Sequence, residues 1–234
     1  MPRTDFDRDL RLLQDEMLQL GSMVEKAIAR ALDGLKRRDL KVSEDVVRDD
    51  DIIDQKRFEL EERCINLIAT QQPLAGDLRV LITVLHLSVE LERIGDYAEG
   101  IAKISILMGD EPPLKPLIDI PRMAEKASDM LRRSLDSFVN RDVIAATVVC
   151  NDDDEVDDLY DQVYRDLLTY MMDDPRAIQR ATYLLWVAHD LERIADRTTN
   201  IAERVIYMVS GKLPQANREN AASGTVTHNP TRTD

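Results

Sequence analysis

The stretch that decides the fold is a heptapeptide that occurs twice, as ELERIGD at residues 90–96 and as DLERIAD at residues 190–196. Five of the seven positions are identical, and the copies lie 100 residues apart. On a helix, acids at i and i+4 project from one face, as Glu92 and Asp96 do in the first copy and Glu192 and Asp196 in the second. The phrase is therefore either a duplicated packing unit or an acidic element that the chain needs twice.

The sequence around both copies has the periodicity of long helices. Apolar residues recur in steps of three and four from Phe6 to Leu35, which is typical of a helix with one buried stripe. Hydrophobic residues make up 44% of the chain and aromatic residues only 4%, a composition that favours helix-on-helix packing over a β-sheet fold. Further helices are predicted at 40–69, 75–108, 121–139, 142–172 and 175–210.

A proline-rich segment, GDEPPLKPLIDIP at residues 109–121, interrupts this pattern because its four prolines cannot continue a helix. The sequence after it copies the sequence before it: LDGLKRRD at 32–39 matches LDSFVNRD at 135–142, and VVRDDDIID at 46–54 resembles VVCNDDDEVD at 148–157. The sequence therefore predicts an all-α fold of two tandem three-helix bundles with six long helices. We divide the chain into a first repeat, a linker, a second repeat and a polar tail expected to be mobile, at residues 1–110, 111–120, 121–212 and 213–234.

The charge of the chain restricts its partners. A net charge of −14 repels phosphate backbones and anionic lipid, so we expect no nucleic-acid partner. The N-terminal stretch lacks an apolar signal core and no apolar run approaches the length of a membrane span. The two cysteines, Cys64 and Cys150, have no metal-ligand spacing and fit buried thiols in a reducing compartment. We therefore expect a soluble cytoplasmic protein without direct membrane insertion.

Each repeat carries a second acidic pair at i, i+4 spacing, upstream of the repeated phrase. If these helices pack with their acidic faces together, four carboxylates converge, which is unfavourable unless protons or cations neutralise them. Iron, manganese, zinc or magnesium would do so through oxygen ligands. Arg93 and Arg193 point about 100° away, so we do not expect them to neutralise acids on their own helix. The candidate metal ligands are Asp50, Asp54, Glu92, Asp96, Asp153, Asp157, Glu192 and Asp196.

Two other interpretations stay open. Chance alone gives about eight acidic i, i+4 pairs in so acidic a chain, so each upstream pair alone fits a solvated face, and a helical scaffold without metal is one alternative. A metal-dependent carboxylate enzyme is the other. We favour a protein that is not an enzyme, because the sequence has no glycine-rich phosphate loop, no G-x-S-x-G and no Cys/His arrangement, and His189 is interpreted as an ordinary helix residue.

The duplicated unit, with LERIGD in one copy and LERIADRTTNIAE in the other, resembles the PhoU family of bacterial phosphate-uptake regulators. The resemblance extends over residues 5–212 and includes QQPLAGDLR at 71–79 and LLTYMMDDP at 167–175. It implies pseudo-twofold symmetry between the bundles, a homodimer, and multinuclear iron or zinc clusters on E/D-x-x-x-D motifs, which fall on the eight acids named above. Gly100 departs from the family's Asn, which the second copy keeps as Asn200, so the first site is expected to differ, with the adjacent Glu99 as a substitute.

The resemblance also implies a function. Members of the family act as negative regulators that keep the phosphate-starvation response off when phosphate is plentiful. The expected partners are the ATPase subunit of the phosphate ABC transporter and a phosphate sensor histidine kinase, which the protein would link as a metal-braced adaptor.

Overall fold

The first repeat folds into three long helices. The structure, a computed structural model, describes residues 3–111 and 114–212, and the tail predicted to be mobile, 213–234, lies outside the described residues. The apolar stripe of the first helix is buried as its periodicity predicts, with no exposed area at Leu13, Met17 or Leu20. The helices are α1 (Arg3–Arg37), α2 (Leu40–Gln71) and α3 (Ala75–Met108).

The second repeat follows the same order. Its helices are α4 (Asp119–Asn140), α5 (Val143–Asn151), α6 (Asp153–Asp173) and α7 (Ile178–Ser210), with a 3₁₀ turn at Pro175–Ala177 before α7. The same cap begins the second helix of each repeat: Asp39 accepts from the backbone N–H of Val42, and Asp142 accepts from those of Ile144 and Ala145. The repetition seen in the sequence therefore extends to the helix start signals.

The helix predicted at 142–172 is present but broken, and the prediction of one continuous helix was wrong. Asp152 separates α5 from α6 with a ψ of −9°, and its N–H is shared between the carbonyls of Val148 and Val149, as in a tightened 3₁₀-type turn. Asn151 begins a run of four short polar residues, which compete with the helix for backbone hydrogen bonds. The break therefore comes from local sequence that periodicity does not register.

Two predicted helix starts also shift by two or three residues. Helix α4 begins at Asp119, before the predicted 121, because Pro121 falls in the first helical turn, where a missing N–H costs nothing. The segment predicted to open the last helix at 175 forms the 3₁₀ turn instead, with the Asp174 carboxylate accepting from the N–H of Arg176 at 3.0 Å.

The two repeats pack through equivalent helices. Within each repeat the helices contact one another, with α5 and α6 together taking the place of α2. Between the repeats, α3 packs on α7 and α1 packs on α4. First helix meets first helix and third meets third, as a pseudo-twofold axis requires. The described residues contain no β-strand, and the predicted all-α fold of two three-helix bundles is confirmed.

The proline-rich segment lies against the bundles rather than away from them. Leu114 and Leu117 are partly buried on the core, and Lys115 Nζ binds the carboxylate of Asp166 on α6 at 2.8 Å. The division of the chain at 111–120 into separate units stays a prediction. No helix in the described ranges is both long and apolar enough to cross a membrane.

Candidate metal centres on the helix faces

The first acidic cluster joins α2 to α3. Asp50 and Asp54, one turn apart on α2, meet Asp96 of α3, and one carboxylate oxygen from each lies within 4.8 Å of the other two. The helices approach closely because α3 carries a glycine at this point: a Cβ added at Gly95 would lie 3.3 Å from Asp50 Oδ1. Three of the four acids predicted for the first repeat are thus brought together.

The fourth predicted acid, Glu92, lies at the edge of the first cluster. Its pKa is raised by burial and then by the charges of Asp96 and Asp54, which places it in the same electrostatic field. Its Oε2 lies 3.5 Å from Arg93 Nε, so the carboxylate is already partly occupied by a cation. Glu92 is therefore a flanking acid, and it is outside the set of three that converge.

Glu99 also belongs to this field. The pKa of Asp50 is raised to about 7, first by burial and then by the charges of Glu99, Asp54 and Asp96. Glu99 follows Asp96 by three residues on α3 and is held by Lys103, whose Nζ lies 2.6 Å from its Oε2. The signal that could have placed it among the candidates is its spacing, since positions 92, 96 and 99 share one helix face.

The second acidic cluster joins α6 to α7. The pKa of Asp153 is raised to about 7 by burial and then by Asp157, Asp196, Asp154 and Glu192, so all four predicted acids share one region. Burial and the charge of Asp196 also raise the pKa of Asp157 and Glu192. Across the described ranges, however, only the first cluster brings three ligand atoms within 4.8 Å of one another.

His189 borders the second cluster through its neighbour on α7, Glu192, and its interpretation as an ordinary helix residue stays a prediction. Its Nδ1 lies 3.2 Å from Glu192 Oε2, and its ring lies 6.2 Å from that of Tyr160 on α6. The i, i+3 spacing of His189 and Glu192 in HDLE was the available signal.

The arginine of the repeated phrase does bind an acid on its own helix, and the expectation that it would not was wrong. Arg93 Nη1 lies 3.0 Å from Asp96 Oδ2, and Arg193 Nη1 lies 2.5 Å from Asp196 Oδ2. The Cα–Cβ bonds diverge as expected, but the long arginine side chain spans the three-residue step. Each copy of LERI-x-D therefore contains its own counterion.

The donor sets of both clusters fit a hard or borderline cation. Asp54 Oδ1 and Asp153 Oδ1 are buried and accept no hydrogen bond from any described residue. Buried carboxylate oxygens without a hydrogen-bond donor, beside the carboxyls of Asp50 and Asp153 with their raised pKa, are the groups that a divalent cation satisfies. Asp50, Asp54 and Asp96 could hold such an ion in the first repeat, and Asp153, Asp157 and Asp196 in the second.

Comparison with known proteins agrees with this architecture. The family model of the PhoU domain matches residues 17–105 and 120–205, one match in each repeat. A phosphate-specific transport system accessory protein PhoU homologue of Aquifex aeolicus is 40% identical over 206 residues, spanning 88% of this chain and 93% of that relative. The corresponding homologue of Clostridium acetobutylicum is also 40% identical, over 91% of this chain and 97% of its own length.

Solved structures show the same likeness. The crystal structure of PhoU from Pseudomonas aeruginosa superposes with a TM-score of 0.85 at 35% identity, covering 88% of this chain and all of that one. The phosphate transport system regulatory protein PhoU from Streptococcus pneumoniae gives a TM-score of 0.83 at 29% identity, over 89% of this chain and 98% of its own. The resemblance carried by the repeated phrase is confirmed, and the chain belongs to the PhoU family.

Proposed function

We propose that this protein is a negative regulator of phosphate uptake and of the phosphate-starvation response. In this role it acts as a metal-binding adaptor between the ATPase subunit of the phosphate ABC transporter and a sensor histidine kinase. Family membership supports the link to phosphate transport, since the relatives are named as accessory proteins of the phosphate-specific transport system. The single observation that carries the metal-binding part is the convergence of Asp50, Asp54 and Asp96 within 4.8 Å.

The acidic clusters connect neighbouring helices within each repeat. Asp50 and Asp54 belong to α2 and Asp96 to α3, so holding one cation fixes the distance between two outer helix faces. A bound divalent cation supplies the positive charge that the cluster lacks. The carboxylates then no longer repel one another, and the faces beside them keep one geometry for a partner to recognise.

Recognition rather than catalysis fits the nucleophiles that the chain offers. Burial raises the pKa of Cys64 to about 12 and that of Cys150 to about 11, so both stay thiols at neutral pH. A thiol is a poor nucleophile compared with its thiolate. We therefore place the function in binding, with a homodimer in the cytoplasm as its working form.

Gene deletion with complementation tests the regulatory role. In high phosphate, deletion should raise alkaline phosphatase activity, and the wild-type gene should restore repression. An Asp50→Asn/Asp96→Asn variant should fail to restore it, while Asp161→Asn, which removes an exposed acid of α6, should succeed. Unchanged repression after deletion would contradict the regulatory role, and full repression by the first variant would contradict the part played by metal.

A further inference from the structure

The seam between α3 and α7 is symmetric in its helices but not in its charges. The helices run antiparallel, and residues related by the pseudo-twofold axis differ by 100 in number. On one side of the seam, Glu90 of α3 accepts from Arg197 Nη1 and from Asn200 Nδ2 of α7, each at 3.4 Å. This side therefore contains an acid with its own guanidinium and amide partners.

On the other side, the equivalent acid has lost its partners. Asp190 of α7 takes the place of Glu90, but the α3 residues equivalent to Arg197 and Asn200 are Tyr97 and Gly100. No residue in the described ranges gives the side chain of Asp190 a hydrogen bond or an ion pair.

Gly100 makes a notch for this carboxylate. A Cβ added at Gly100 would lie 2.9 Å from Asp190 Oδ2, closer than side chains normally approach. The carboxylate therefore lies against bare backbone, and the residue Asp190 is half-buried. The glycine thus holds the carboxylate in the seam without giving it a side-chain partner.

An exposed aromatic ring lies one helical turn away from the same carboxylate. Trp186 precedes Asp190 by four residues on α7, so both project along one edge of the helix. The indole is 49% exposed, and its ring centroid lies 5.7 Å from that of Tyr183, which fixes one side of it. Its counterpart on α3 is His86, whose pKa is lowered by burial and by the charge of Arg204, so that side again has an internal cation.

We propose that Asp190 and Trp186, with the notch at Gly100, form a docking site for an arginine side chain of a partner protein. The other side of the seam shows the chemistry that fits, because the equivalent acid, Glu90, accepts from a guanidinium there. A planar guanidinium can pair with the carboxylate and stack on the indole at once, which an ammonium group does less well. The net charge of −14 steers a cationic partner toward the surface.

Intrinsic fluorescence tests this site directly because Trp186 is the only tryptophan. The probe is the peptide acetyl-Gly-Arg-Gly-amide, and the control peptide has citrulline, a neutral isostere, in place of arginine. The arginine peptide should change the emission saturably, and the citrulline peptide should not. Asp190→Asn should weaken the binding of the arginine peptide about tenfold, since the substitution removes the charge and keeps the shape of the side chain.

The matched control is Glu90→Gln, which alters the equivalent acid on the other side and should leave the response unchanged. Circular dichroism confirms that both variants are folded. Equal responses to arginine and citrulline in the wild type, which need no variant, would overturn the proposal. So would an Asp190→Asn variant that binds as tightly as the wild type.

Discussion

The two acidic clusters are built alike, from the repeated phrase and an acidic pair on the neighbouring helix, yet they are not the same site. In the first repeat, α2 is continuous and Gly95 admits Asp50, so three carboxylates converge within 4.8 Å. In the second, the partner helix is broken at Asp152, the residue equivalent to Gly95 is Ala195, and His189 engages Glu192 at 3.2 Å. In the first cluster the repeated phrase supplies only Asp96, while the neighbouring helix supplies Asp50 and Asp54 and sets how closely the three gather.

The largest expected difference between the two clusters is the loss of Mn²⁺ affinity when carboxylates are removed. Asp50→Asn/Asp54→Asn should weaken Mn²⁺ binding at the first site on the order of a hundredfold, since even residues behind a metal ligand change affinity 10- to 100-fold. The Asp153→Asn/Asp157→Asn variant should lose less Mn²⁺ affinity, because the carboxylates of the second cluster lie farther apart. Calorimetric titration with Mn²⁺ measures both, with Asp33→Asn on α1, a partly exposed acid, as the control. A larger loss in the second variant would reverse the ranking.

A larger side chain at Gly95 should destabilise the protein more than the reverse change at the equivalent position of the second repeat. Gly95→Leu forces Asp50 and Ile53 away from α3, because a Cβ alone would already lie 3.3 Å from each. We expect the free energy of unfolding to fall by about 1–3 kcal/mol, as for other overpacked positions. Ala195→Gly is the reverse change in the second repeat and should cost about 1–2 kcal/mol, through helix propensity and the loss of one buried methyl group. Urea unfolding measures both, and a neutral Gly95→Leu would show that the close approach is not needed.

The raised pKa values predict a pH dependence shared by both clusters. Asp50 and Asp153 titrate near pH 7 when folded, whereas an unfolded aspartate titrates near 4. The folded state therefore keeps protons that the unfolded state has lost, so these groups lower the free energy of unfolding as pH rises from about 4 to about 7. Because both groups are half-exposed, screening limits the effect to about 1–2 kcal/mol.

The measurement compares metal-free wild type with Asp50→Asn/Asp153→Asn by urea unfolding at pH 5 and at pH 8. From pH 5 to pH 8 the free energy of unfolding should fall more for the wild type than for the variant. Saturating Mn²⁺ should stabilise the wild type at pH 8. Parallel pH profiles for the two proteins would contradict the assignment of these groups.

The internal counterions should give the smallest effect. Arg93→Gln and Arg193→Gln each remove a cation that competes with metal for Asp96 or Asp196, so Mn²⁺ affinity should rise about threefold. The gain should be larger for Arg193, whose side chain is 34% exposed against 55% for Arg93. Titration in 50 mM and 500 mM salt adds a control, because screening should shrink the difference. Weaker binding in either variant would mean that the arginine supports the site.

Much of the fold could be predicted from the sequence because its signals are local. The apolar spacing of three and four from Phe6 to Leu35 predicts a buried helix stripe, and the prolines at 109–121 predict the break between the repeats. The break at Asp152 could not be predicted from periodicity, since Val149 and Val156 keep the apolar spacing across it. Periodicity follows the buried face of a helix and is insensitive to its backbone hydrogen bonds.

The candidate sites could be predicted only as far as one helix determines them. The i, i+4 spacing places Glu92 with Asp96, but convergence with Asp50 depends on how closely α2 packs, which one glycine controls. The seam at Asp190 was out of reach of the sequence, since it depends on which residues of α3 oppose α7. Once that pairing is known, the repeat itself shows that Asp190 lacks the partners that Glu90 has.

Anomalous scattering from crystals grown with Mn²⁺ would show whether both clusters bind cations. We expect one peak bound by oxygen atoms of Asp50, Asp54 and Asp96, and a second, weaker peak between α6 and α7 beside Asp153 and Asp196. Crystals without a peak at either place, with these carboxylates bound only to water or to Arg93 and Arg193, would contradict this expectation.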